Sequence, residues 1–207
     1  MTGILLQAPE PRLVLASQSS ARRAVLAAAG LVFTAEAAAV DEAAIKEGCR
    51  AEGIPAEDAA MLLAEAKAER IARRRPEALV LGADQMLVCD GAWFDKPADL
   101  AAARAQLLTL RGKPHVLVTA LVAWRDGRRI WQHLARPRLA MRDFSEAFLD
   151  AYLAAEGEAV LGSVGAYRLE GLGPHLFRTV EGEHSAILGL PLLPLLGFLR
   201  QHGVLLG

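Results

Sequence analysis

Charged residues at Arg22, Asp41-Glu42, Lys67, Asp84 and Lys96 are together the kinds of group that hold a metal-bound phosphate ester. Carboxylates at Asp41, Glu42 and Asp84 can hold a divalent cation through oxygen, while the three cations can neutralise phosphate oxygens. Arg22 comes at the end of Leu13-Val-Leu-Ala-Ser17-Gln-Ser19-Ser-Ala21-Arg22, which reads as a strand, a serine-rich turn and a helix start. The first turn of a helix has N–H groups without intrahelical partners and the positive end of the dipole, so a phosphate can sit there. A guanidinium adds a planar fork of donors matched to phosphate oxygens. Each residue also has an ordinary structural reading. Serines ahead of a helix cap it, a lysine on an apolar helix face snorkels to water, and a carboxylate at a strand end caps a turn. Spacing alone does not bring the groups together.

The elements that must position them alternate along 207 residues, 53% of them hydrophobic. That pattern, with short connections and no internal repeat, places the chain in the α/β class. After the first strand and helix, residues 31–39 read as extended and lead to Asp41-Glu42. Pro55 opens a helix reaching about Arg74, which Pro76 stops. On that helix Ala59, Leu63, Lys67 and Ile71 share one row at spacing four, so Lys67 projects from the apolar side. Residues 78–81 read as a buried strand prolonged by 86–89, with Asp84-Gln85 at the end of its apolar run and a hairpin signal at Asp90-Gly91. Asp99 caps a helix to Leu110, which Gly112 closes. Residues 115–124 and 129–141 read as a long hairpin around Arg125-Asp-Gly127. Ser145 starts a further helix ending near Gly157, a short hairpin is read around Glu181-Gly182, and a last helix runs from about Pro191 to His202.

Several classes of function are disfavoured. The formal net charge of −1 offers no bulk attraction to nucleic acid. Cys49 and Cys89 are too few for a disulfide framework or a zinc cluster and read as buried thiols. His115, His175 and His184 show no metal-ligand spacing. Gly171-Leu-Gly173 does not lie between a strand and a helix as a dinucleotide loop would, and no Walker-type loop is present. Trp93, Trp124 and Trp131 read as packing residues. The N-terminus lacks the basic and apolar regions of a signal peptide, and the apolar end from Ala186 to Leu206 is broken by Gly189, Pro191, Pro194, Gly197 and Arg200. A cytoplasmic protein with no membrane partner is expected.

Motif wording and order carry further. Leu15-Ala-Ser17-x-Ser19-x-x-Arg22, Val40-Asp-Glu42, Ala64-x-x-Lys67-Ala68, Leu81-Gly-Ala-Asp84, Asp90-Gly91, Lys96-Pro97, Gly112-x-x-His115, Gly165-Ala-Tyr167 with Glu170-Gly171, and Gly189-Leu-Pro191 resemble the Maf family. The resemblance runs from about Leu13 to Leu199. It implies a single Maf-like domain over residues 1–207 with an N-terminal tail of about residues 1–11. The implied fold is like that of inosine triphosphate pyrophosphatases, a mixed twisted sheet in two lobes around a substrate cleft. The implied activity is cleavage of a nucleoside triphosphate between the α- and β-phosphates, with Mg²⁺ or Mn²⁺, and a homodimer is the implied assembly. By the same resemblance Asp84 is the proton acceptor, and Arg22, Glu42, Lys67 and Lys96 are charged residues of the cleft. Ser17 and Ser19 would contact phosphate through hydroxyls or the turn. Glu42, with Asp41, is the expected metal partner of Asp84. A non-catalytic nucleotide-binding regulator of septum formation is the competing class.

Departures from the family pattern bear on substrate. Many members read Ser-Pro-Arg-Arg where this chain has Ser19-Ser20-Ala21-Arg22, and Asp-Thr where it has Asp84-Gln85. Many have a lysine where it has Ser163, leaving Arg168 or Arg178 as nearby cations. Ala21, Gln85 and Glu170 fall at the family's specificity positions and resemble the subgroup active on 7-methyl-GTP rather than that acting on dTTP and UTP. A carboxylate at Glu170 only accepts hydrogen bonds, which suits the N1–H and 2-amino donors of guanine, and its charge suits a cationic methylated ring.

Overall fold

The structure is a computed structural model and describes residues 6–207. Among these residues the elements in chain order are β1 (Leu13–Leu15), α1 (Ser20–Ala28), β2 (Thr34–Ala35), α2 (Glu42–Ala51), α3 (Ala56–Ala72), β3 (Leu79–Cys89), β4 (Ala92–Phe94) and α4 (Leu100–Leu110). They continue with β5 (Pro114–Arg125), β6 (Arg128–Ala135), β7 (Arg138–Met141), α5 (Glu146–Glu156), β8 (Phe177–Glu181), α6 (His184–Ile187) and α7 (Leu192–Gln201). The strands form one sheet in the order β2-β1-β3-β5-β7-β8, with β4 beside β3 and β6 beside β5. β1 pairs in parallel with β2 and β3, while β3–β4, β5–β6, β5–β7 and β7–β8 are antiparallel. The α/β class with a mixed sheet is thus what the chain forms.

The chain divides into two compact units. The first comprises residues 6–84, 119–135 and 183–207. Its strands alternate, as the pleat requires, between two covered faces. Leu13, Leu15, Leu79, Leu81 and Ala83 point one way, into a core closed by Val25 and Leu26 of α1 and by Leu195, Phe198 and Leu199 of α7. Gly82 and Asp84 point the other way, toward α3. Residues 6–8, within the expected tail, are held by a bridge between Gln7 and Leu205 and by Ala8 N–H donating to the Val204 carbonyl at 2.9 Å. Residues 1–5 of that tail lie outside the described residues.

The second unit, residues 85–118 and 136–182, carries β4, α4, β7, α5 and β8. Two capped helices face each other there. Asp99 accepts from Ala102 N–H at 2.7 Å, and Ser145 from Phe148 N–H at 3.2 Å. Arg104 of α4 then reaches Glu146 at 2.7 Å and Asp150 at 2.9 Å on α5.

Three readings differ in the structure, and the short helix α6 was not read from the sequence at all. Helix α2 follows Asp41 directly, where only an extended approach was expected. Asp41 accepts from Ala44 N–H at 3.0 Å and caps α2, whose Glu-Ala-Ala-Ile-Lys-Glu run is a good helix former. The long hairpin arm 129–141 is two strands. Pro137 has no N–H to donate, so the ladder breaks at Arg136-Pro137, and β6 and β7 pair with different stretches of β5. The hairpin expected at Glu181-Gly182 does not form. β8 pairs with β7 instead, and Gly182, at φ +120°, leads into α6.

Candidate active site

The centre of the first unit is built by a close approach of α3 to β3. A methyl group on Gly82 would stand 2.2 Å from the Ala64 carbonyl oxygen and 2.7 Å from Ala68 Cβ, so only glycine admits the helix at this distance. Asp84, two residues on, shares the face of Gly82, and Lys67 shares the helix side of Ala64 and Ala68. The row that carries Lys67 is anchored by Ala59, Leu63 and Ile71, all fully buried. Burying the two larger side chains contributes roughly 1.5–3 kcal/mol each and fixes the face of α3 that carries the lysine.

There Lys67 Nζ donates to Asp84 Oδ1 at 2.6 Å and meets Glu42 Oε1 at 2.8 Å. Lys67 is 7% exposed and Asp84 4%, while Glu42, in the first turn of α2, is intermediate. The second oxygen of Asp84, Oδ2, is buried and has no hydrogen-bond partner. An unpaired carboxylate oxygen away from water is costly, so this is the atom of the cluster that could take a further partner.

Arg22 is the third residue of α1 and is buried. Its Nε donates to the Gly189 carbonyl at 2.9 Å, and its Nη1 donates to the Ala83 carbonyl at 2.9 Å and to Ser17 Oγ at 3.2 Å. Burial pulls the guanidinium pKa below its ordinary value, and the negative charges of Asp84 and Glu42 oppose that shift. The two serines build the turn. Ser17 Oγ accepts from Ser19 N–H at 3.2 Å, and Ser19, the N-cap of α1, accepts from Arg22 N–H at 3.4 Å. Ala21 lies beside Arg22 in the first turn, half-buried.

The expected carboxylate trio is not assembled. Asp41 is exposed and spends its carboxylate on the cap of α2, and among the described residues no group of three or more His, Cys, Asp or Glu side chains is placed to hold a metal. Glu42 and Asp84 do come together, with the ammonium of Lys67 bonded to both. The contact of Gly189 with Arg22 was not anticipated. Gly189-Leu-Pro191 stood out only as wording, whereas its glycine, at φ +92°, turns a carbonyl onto the guanidinium.

The remaining candidates belong to the second unit. Gln85 is half-buried on β3. Lys96 is exposed after β4, in a turn pinned by Gln106 Nε2 donating to the Asp95 carbonyl at 2.9 Å. Glu170 is exposed, and Arg168 Nε donates to its Oε1 at 3.4 Å. Arg168 Nη1 donates to Glu156 Oε2, also at 3.4 Å, and Glu156 Oε1 accepts the Leu172 N–H. Glu156, whose side chain is 5% exposed, therefore holds the segment around Glu170, although no spacing in the sequence announced it. Beneath this segment His115 Nε2 and Tyr167 Oη are hydrogen-bonded at 2.9 Å, both buried. Burial lowers the His115 pKa to about 4 and raises that of the Tyr167 phenol. Tyr152 Oη donates to the carbonyl of Ala166, a residue held at φ +58°.

Fold and site together define a mixed-sheet α/β protein with a buried carboxylate–ammonium centre beside a fixed guanidinium. The model of the family described as "Maf-like protein" matches residues 12–202, and the chain belongs to the Maf family. A protein of Granulibacter bethesdensis named nucleoside triphosphate pyrophosphatase is 58% identical over 194 residues, covering 94% of this chain and 98% of the relative. One of Paramagnetospirillum magneticum with the same name is 58% identical over 192 residues, covering 93% and 99%. A 7-methyl-GTP pyrophosphatase of Rhizobium meliloti is 44% identical over 196 residues, covering 95% and 98%. Among the described residues no helix is long and apolar enough to cross a membrane.

Proposed function

We propose that this Maf-family protein is a nucleoside triphosphate pyrophosphatase, and that its substrate is 7-methyl-GTP. The observation that carries the activity is the buried Asp84 Oδ2, left without a partner while Oδ1 is tied to Lys67. Water attacks the α-phosphorus, the bond from that phosphorus to the α–β bridging oxygen breaks, and pyrophosphate leaves with the bridging oxygen. The Asp84 carboxylate takes the proton of the attacking water, and the nucleoside monophosphate is the second product. Arg22, fixed by Gly189, Ala83 and Ser17, offers Nη2 to the phosphate oxygens at the start of α1, and Lys67 offers its ammonium to the charge developing there. Lys96 is a further phosphate ligand on the strength of the family resemblance.

The donor set fits a divalent metal. Asp84 Oδ2 and the Glu42 carboxylate are hard oxygen donors of the kind Mg²⁺ and Mn²⁺ take. When bound, that metal would acidify the attacking water and neutralise phosphate charge. Asp41 is left out of the set, since it caps α2.

The choice of 7-methyl-GTP is supported by Ala21, Gln85 and Glu170, and by the Rhizobium meliloti relative of that name. The family match over residues 12–202 spans both units and supports treating the chain as one catalytic domain. The test is a panel of canonical and methylated triphosphates with Mg²⁺ or Mn²⁺, reading pyrophosphate and monophosphate. The expected result is fastest turnover of 7-methyl-GTP. A preference for dTTP or UTP would reject the substrate, and release of neither product from any triphosphate would reject the activity.

A further inference from the structure

The site described above contains one cation held by neutral partners and one held only by carboxylates. Arg22 is tied through two nitrogens to two backbone carbonyls and a hydroxyl. Lys67 makes its two contacts only with carboxylates, at 2.6 Å to Asp84 and 2.8 Å to Glu42, from the end of a four-carbon stem with free rotors. Both carboxylates that would serve a divalent metal are therefore already paired with an ammonium, Asp84 through Oδ1 and Glu42 through Oε1, while Asp84 Oδ2 stays unpaired. A dication on Asp84 Oδ2 would share one carboxylate with that ammonium, in a place where Lys67 and Asp84 are both less than a tenth exposed. Like charges this close repel strongly when water does not screen them.

We infer that Lys67 is the resident counter-cation of Glu42 and Asp84, that it keeps free divalent metal out, and that metal enters as its complex with the triphosphate. The triphosphate brings the negative charge that lets both cations stay. Lys67 then moves its ammonium from Asp84 and Glu42 to phosphate oxygens, while Arg22 stays where its carbonyl partners hold it. This inference rests on the proposed metal-dependent pyrophosphatase reading and goes beyond it, because it sets the order in which metal and nucleotide bind.

Mn²⁺ binding to the full chain, followed by electron paramagnetic resonance, tests it without turnover. Titrations are run alone and with the α,β-methylene analogue of 7-methyl-GTP, and repeated with that of UTP. Wild-type protein is expected to bind Mn²⁺ at least tenfold more weakly alone than with an analogue. Lys67→Met is expected to bind free Mn²⁺ at least tenfold more tightly than wild type and to lose most of its dependence on the analogue. Equal affinity of the wild type with and without analogue overturns the inference while leaving the pyrophosphatase reading standing, as does an unchanged free-metal affinity in Lys67→Met. Failure of the wild type to bind Mn²⁺ with any analogue removes the metal reading and the inference together. If Lys67→Met does not fold, the wild-type pair of titrations decides.

Discussion

Each unit holds an acid–base–acid cluster, but the two are built to different specifications. In the first, Asp84–Lys67–Glu42 closes at 2.6 and 2.8 Å with Lys67 and Asp84 buried, and an oxygen of Asp84 is left over. In the second, Glu156–Arg168–Glu170 closes at 3.4 Å on both sides, with Arg168 and Glu170 about a third exposed and Glu156 satisfied by a backbone N–H. The second unit buries the Glu156 side chain, 5% exposed, with both oxygens bonded, and His115, Tyr152 and Tyr167, which are neutral in their ordinary states. Removing ions from water is expensive, and replacing a buried pair by apolar groups is often no worse for stability. Charge buried with an unsatisfied atom is therefore a mark of chemistry, and charge whose atoms all have partners, as in Glu156, is a mark of positioning.

The strongest way to break this contrast is Asp84→Asn. An amide keeps the shape and loses the proton acceptor, so turnover should fall by about 10³-fold, within the range typical of acid–base groups, with folding intact by circular dichroism. Turnover equal to wild type would reduce the first cluster to a structural ion pair. Gly82→Ala comes next, because it acts on the approach that makes the cluster. Its methyl meets a backbone carbonyl oxygen at 2.2 Å, which cannot rotate away. A loss of about 3 kcal/mol in urea unfolding is expected, near the top of the usual overpacking range, together with a drop in kcat of at least tenfold. A stable and active Gly82→Ala would show that the helix can retreat without disturbing Lys67.

Part of the first cluster was legible for a physical reason. The helix period puts Lys67 on the apolar side of α3 with Ala59, Leu63 and Ile71, and the strand reading puts Asp84 at the end of an apolar run, but neither period shows that the two meet. Most element starts were also written locally, in Ser19, Asp99 and Ser145 as caps and in Asp90-Gly91 as a turn. What periodicity cannot carry is the identity of a distant partner. Nothing in spacing told Glu156 from the other exposed-looking acids of α5, or Asp41 as a cap from Asp41 as a ligand. The hold of Gly189 on Arg22 spans 167 residues and depends on a backbone oxygen, which has no sequence signature.

The buried imidazole of the second unit makes a prediction of opposite character, one of pH rather than catalysis. His115 Nδ1 is buried without a partner, and burial lowers the pKa to about 4. The folded state thus binds its proton later than the unfolded chain, whose histidine titrates near the ordinary value of about 6.5. Stability from this group is complete above about pH 6.5, is lost as pH falls toward 4, and levels off below. The full difference is roughly 3 kcal/mol as an upper bound. Urea unfolding at pH 7 and pH 4.5 should show His115→Gln losing less stability between the two than wild type does. Equal losses would mean that His115 takes up its proton while folded.

Smaller effects separate the parts of the second cluster. Glu156→Ala leaves the Leu172 N–H and Arg168 without their acceptor and should cost about 1–2 kcal/mol, while Glu156→Gln, which still accepts, should cost less. Arg168→Ala removes two long pairings, with Glu170 and Glu156, from a side chain about a third exposed, and Glu156 keeps the Leu172 N–H, so stability should change by about 1 kcal/mol. Its informative effect is on substrate choice. Arg168 offsets the charge of Glu170, and if that charge recognises a cationic methylated ring, deleting the guanidinium should raise the kcat/KM ratio of 7-methyl-GTP to GTP by a fewfold. The ratio is the useful readout because a loosened loop would lower both substrates together, whereas an unmasked carboxylate favours only the cation. A ratio that stays constant while both values fall would assign Arg168 to holding the loop and remove Glu170 from recognition of the methylated base.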